Sequence, residues 1–100
     1  MSDKISRLLN IHSLSYSLWK HTKESSLEDV CHHTLEGLLN LTSPTDPKIQ
    51  RVIIKNCTIL SYRRDFEPIK ILLSIFQEDT AQDGPSLTPL INRLQLMIAC

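Results

Sequence analysis

Along most of this chain the apolar side chains recur at spacings of three and four, the period of one face of an α-helix. The clearest segment runs from about Leu27 to Leu41, where Leu27, Val30, Cys31, Thr34, Leu35, Leu38 and Leu41 share a face. Ser25 and Glu28 stand three apart at its head, the spacing of a capping box in which hydroxyl and carboxylate each accept a backbone N–H. The stretch Thr42-Ser43-Pro44-Thr45-Asp46-Pro47 then ends that helix and starts the next. Asp46 caps, and Pro47 loses nothing at a first helical position whose N–H has no partner. From Pro47 to about Tyr62, Ile49, Val52, Ile53, Asn56, Cys57 and Leu60 again fall on one face. The β-branched run Val52-Ile53-Ile54 would suit a strand, but the period decides for helix.

Asp65 and Pro68 open a further helix with Ile69, Leu72, Leu73 and Phe76 turned inward. It should end near the polar stretch Gln77 to Gly84, which reads as a mobile loop over about residues 77–87. Thr88-Pro89 repeats the cap-then-proline start, and Leu90, Ile91, Leu94, Met97 and Ile98 predict a last amphipathic helix. At the other end, roughly Asp3 to His21, Ile5, Leu8, Leu9, Ile11, Leu14, Leu18 and Trp19 spread over a broad arc. Such breadth predicts a helix with contacts on two sides. Short proline-marked turns force neighbouring helices against each other, and no hairpin signal competes with them. The expected fold is therefore all-α: about five short antiparallel helices in a small bundle or a two-repeat helical array, with residues 1–100 as a single domain.

Composition narrows the function more than it names it. At 41% apolar and 22% charged residues the chain can supply a core. Eleven basic residues balance eleven acidic ones, so no global field draws it to nucleic acid or an anionic membrane. Cys31, Cys57 and Cys100 are odd in number and widely spaced, which argues against a disulfide framework and for a reducing compartment, cytosol or nucleus. No secretory leader or bilayer-length apolar run is read, so no membrane association is expected. Without such a leader the acceptor patterns Asn40-Leu41-Thr42 and Asn56-Cys57-Thr58 count as accidental.

The run Thr34 to Thr42, followed by Asp46 to Ile54 and Glu67 to Leu73, resembles the end of one armadillo or HEAT-type repeat running into the next, over about His33 to Phe76. The resemblance implies that Asn40 is the counterpart of an asparagine that binds the backbone of an extended peptide. Glu36 stands one turn earlier in place of the tryptophan of that pattern, and the glycine between the first two repeat helices is missing.

Candidate chemistry is sparse. Cys31-His32-His33 has metal-ligand residue types, but helical neighbours point about 100° apart and cannot converge on one ion, so Cys31 is assigned to the core. Cys57, on an apolar face, reads as a buried and inert thiol. Gly37 and Gly84 are isolated, so no phosphate-cradling loop is formed. No catalytic, cofactor-binding or metal-binding residues are assigned. Lys48, Arg51 and Lys55 fall on one side of the third helix, opposite the face of Ile49, Ile53 and Leu60, with Arg63 and Arg64 at its end. They form either a solvated face whose last arginines complement the helix dipole or a surface for phosphate or acidic peptide. The reading that results is a non-enzymatic interaction or adaptor domain with a protein partner. Its candidate contacts are Leu14, Leu18 and Trp19 on the first helix, Asn40, and the basic set; self-association remains open. A nucleic-acid accessory role through the basic face is the alternative, and a small enzyme assembled from distant residues is the remote one.

Overall fold

A computed structural model describes residues 2–83 and 87–99, the side chains of 2 and 79–83 excepted. The described residues form five helices and no strand: α1 (Ser2–Thr22), α2 (Ser25–Leu41), α3 (Pro47–Tyr62), α4 (Glu67–Asp83) and α5 (Thr88–Ala99). The chain divides into two compact units, Met1–Asn56 and Cys57–Cys100, with the division inside α3.

In the first unit α1 and α2 pack against each other across the two residues Lys23 and Glu24. α1 ends because Lys23 turns left-handed at φ 57°, letting its N–H reach the Trp19 carbonyl at 2.7 Å. The expected capping box at the head of α2 does not form. Ser25 lies inside the helix, Glu24 precedes it without a side-chain cap, and the Glu28 carboxylate instead accepts the Trp19 indole N–H at 2.9 Å. A buried indole N–H needs an acceptor, and this tertiary bond takes the carboxylate from the local one. Gly37 allows the close approach of α1, since a Cβ there would stand 3.2 Å from Leu8 Cδ1. Asp46 caps α3 as expected: its carboxylate accepts the Lys48 N–H at 3.0 Å and its carbonyl receives Ile49 and Gln50. Trp19, Cys31, Leu35, Leu38, Ile49, Val52 and Ile53 are buried in this unit, while Val30 and Leu41, expected on the inward face of α2, are exposed.

The second unit holds the end of α3 and the packed pair α4 and α5. α3 closes in a Schellman turn, Asp65 N–H to Leu60 carbonyl at 2.9 Å and Arg64 N–H to Ser61 carbonyl at 3.0 Å, with Arg64 at φ 60° in the position glycine prefers. Asp65 thus finishes α3 and does not open α4. The next helix starts beyond Phe66, whose carbonyl receives the Lys70 N–H, and Pro68 sits in the first turn, where no N–H is needed. α4 then continues to Asp83, so the loop expected from Gln77 is helix over residues 77–83; residues 84–86 of that loop lie outside the described residues. Ile59, Ile69, Phe76, Leu87, Leu90, Ile91 and Leu94 are buried, and Ile59 takes the place expected for Leu60, which is only half-buried.

Candidate functional site

α1 carries an inward face held partly by polar side chains and, about 100° around the helix from it, a line of exposed apolar residues. Its inward side is built from Leu8, His12, Ser15 and Trp19, spaced four, three and four. His12 is fully buried and Trp19 is 2% exposed. The apolar residues Ile11, Leu14 and Leu18 recur at spacings of three and four about 100° around from that face and are 38%, 68% and 54% exposed, while the side opposite the core carries Asn10, Ser13 and Ser17. Of the three α1 residues proposed from sequence as a contact surface, Leu14 and Leu18 are therefore available and Trp19 is not. It is held in the core by Glu28 and covered by the Lys23 ammonium, 5.1 Å from the ring centroid.

The inward face centres on a buried polar junction. His12 Nε2 lies 2.5 Å from Asn56 Oδ1, and Asn56 Nδ2 donates to the Cys31 carbonyl at 3.1 Å and toward His32 Nδ1 at 3.4 Å. The Cys31 carbonyl can only accept, which fixes the asparagine amide with its nitrogen toward α2 and its oxygen toward His12. His12 must then carry its proton on Nε2. Its Nδ1 is buried and has no partner among the described residues. Burial holds the His12 pKa below the ordinary histidine value; the Asn56 bond opposes this, and the charges of Lys55 and His32 add to it. Tyr16 stacks beside His12 with centroids 6.4 Å apart and carries the Lys20 and Lys55 ammoniums at 5.9 and 5.5 Å.

Cysteine, histidine and asparagine are the residue types of a thiol nucleophile site, but Asn56 meets Cys31 through its backbone carbonyl and the thiol is ill-suited to attack. Burial pushes the Cys31 pKa up to about 11, with Glu28 adding to the shift and Lys55 opposing it; burial alone pushes Cys57 to about 12. Both remain protonated thiols, as the sequence reading expected of a core position. The junction joins α1, α2 and α3 of the first unit, and sequence reasoning missed it. Its only signal was Asn56 on an otherwise apolar face, since a buried amide demands partners.

A neutral His12 makes stability depend on pH. The unfolded histidine titrates near 6.5 and the folded one lower, so the unfolded chain binds more protons between those values. The contribution is complete above about pH 6.5, is lost as pH falls through the folded pKa, and does not change further below it. Denaturation midpoints measured from pH 7.5 downward should fall through this window for the wild type. The His12→Gln variant, which keeps an N–H for Asn56 and cannot titrate, should show a flatter profile there.

The basic set divides. Lys48 and Arg51 are exposed on α3, whereas Lys55, expected on the same solvated side, is half-buried over Tyr16. Arg63 lies 5.3 Å from the Tyr62 ring centroid, and Arg64 lines an open cleft of ≈ 350 Å³ with Ser61, Tyr62, Phe66 and Met97. Asn40 is exposed in the last turn of α2. Asn56 of the second glycan-acceptor pattern is buried. Among the described residues no group of three or more histidine, cysteine or acidic side chains could hold a metal ion, and no helix is long and apolar enough to cross a membrane. No family model, curated protein or solved structure matches the chain.

Proposed function

We propose that this chain is a non-enzymatic protein–protein interaction domain, a subunit or regulator of a cytosolic or nuclear complex, that docks its partner on the outward face of α1. The observation that carries this reading is the exposed series Ile11, Leu14 and Leu18 on a helix whose inward side is fixed by His12 and Trp19. Apolar side chains at helical spacing, presented by a rigid element, are the form in which helix faces recognise other proteins. The two free, buried cysteines suit a reducing compartment.

The test is a comparison of two surface variants by affinity purification with identification of the retained proteins. Leu14→Asp/Leu18→Asp should fold, with a melting temperature close to wild type, and lose the proteins that wild type retains. Lys48→Glu/Arg51→Glu/Lys55→Glu should keep them. The opposite pattern would move the docking surface to the basic face of α3 and favour a partner bearing phosphates or carboxylates.

A further inference from the structure

The outward face of α1 also carries information on what kind of partner it fits, given that it is the docking surface. The series Ile11, Leu14, Leu18 continues toward the helix N-terminus, at the same spacing, into Arg7 and Lys4, both exposed. Among the described residues no carboxylate forms an ion pair with either. Asp3 is the one acidic residue of α1; the other acidic residues of the unit, Glu24, Glu28, Asp29, Glu36 and Asp46, all follow the helix. The face is thus apolar through its middle and basic at one end.

Three possible occupants answer differently to that pattern. A second copy would set Arg7 against Arg7 if the helices paired in parallel; paired antiparallel about Leu14 it would set Arg7 against His21, and Lys4 against Glu24, which lies beyond the end of α1 at Thr22. Like charges directly across the interface disfavour the parallel pairing, and the antiparallel one leaves Arg7 without a carboxylate. A bilayer surface calls for a broad apolar face, but this one is a single side chain wide, flanked by Asn10 and Ser17 on one side and by the core-facing residues on the other. A single helix with a matching narrow apolar seam meets both requirements. We infer that the partner segment is an acidic amphipathic helix, its apolar residues seated on Ile11, Leu14 and Leu18 and its carboxylates on Lys4 and Arg7. Three side chains cover far less than the roughly 800 Å² per partner of a standard stable interface, so the charged end supplies part of the hold and the contact is salt-sensitive.

Two synthetic helical peptides with the same leucine seam, one with glutamate and one with lysine beyond it, are titrated against the full chain by fluorescence anisotropy. The glutamate peptide should bind, weaken by roughly fivefold on raising salt from low to above physiological strength, and lose binding to Lys4→Glu/Arg7→Glu. That variant should in turn bind the lysine peptide. Equal binding of both peptides to wild type would overturn the acidic partner and leave the α1 docking surface standing; binding of neither would overturn it as well. Concentration-dependent dimerisation in sedimentation, or binding to anionic vesicles, abolished by Leu14→Asp/Leu18→Asp would replace the acidic helix with a second copy or a lipid surface. Retention of the purified partners by Leu14→Asp/Leu18→Asp would instead remove the docking reading itself.

Discussion

Replacing Leu38 or Ile53 with aspartate is expected to leave the first unit unfolded at neutral pH. Both side chains are fully buried, on α2 and α3. Losing the apolar side chain alone costs about 2–5 kcal/mol at such sites. The new carboxylate then either stays charged without a partner or binds a proton at a pH where it would be ionised in water, and each route adds several kcal/mol. Total stabilities of small domains are about 5–15 kcal/mol, so the sum consumes most or all of the reserve. Loss of the helical circular dichroism signal and of cooperative melting is the expected result. Leu14→Asp makes the same chemical change at a position 68% exposed and should shift stability by no more than about 0.5–1 kcal/mol. A Leu38→Asp protein that melts like Leu14→Asp would show that α2 does not bury this face.

The junction of His12 and Asn56 gives the second large effect. Asn56→Leu removes the acceptor of the His12 N–H and the donor to the Cys31 carbonyl. The Cys31 carbonyl lies inside α2 and keeps a share of the Thr34 hydroxyl at 3.0 Å, whose proton also reaches the Val30 carbonyl at 2.8 Å, so the cost concentrates on His12, left buried with neither ring nitrogen bonded. An unfolding free energy lower by about 2–4 kcal/mol is expected by denaturant titration. Removing both partners should be far milder than the sum of the single changes. In His12→Leu/Asn56→Leu no orphaned polar group remains, and the double-mutant cycle should return a coupling of about 1–3 kcal/mol. Additive losses would mean that the two side chains do not share a bond.

The helix count and most boundaries were legible because local chemistry sets them: Asp46 with Pro47 fixes the head of α3, and the proline-rich turn before it ends α2. The inward faces of α2, α3 and α5 followed from apolar period, with Cys31, Leu35, Leu38, Ile49, Ile53, Leu90 and Leu94 all buried. Where a distant residue competes for a local group, the sequence misleads. Glu28 had the spacing to close a capping box and serves Trp19 instead, nine residues away. α1 misleads for a related reason: its broad apolar arc contains one face that is buried through polar atoms and another that is apolar and exposed. The bond that distinguishes them joins residues 44 apart, beyond any local pattern. Gln77 to Asp83 shows the converse case, a polar stretch without apolar period that continues a helix already begun at Glu67.

Everything proposed for α1 depends on which of its sides faces the core, and the chain holds a single tryptophan to report on it. Trp19 is 2% exposed with its indole N–H bonded to Glu28. Steady-state fluorescence of the folded protein, with acrylamide as quencher, measures that burial directly. The expected result is emission shifted to the blue of the denatured chain and strong protection from quenching, unchanged in Leu14→Asp/Leu18→Asp. Tryptophan emission and quenching in the folded protein equal to those of the denatured chain would put Trp19 on the surface, rotate α1 about its axis, and contradict the inward face on which the Leu14 and Leu18 docking surface depends.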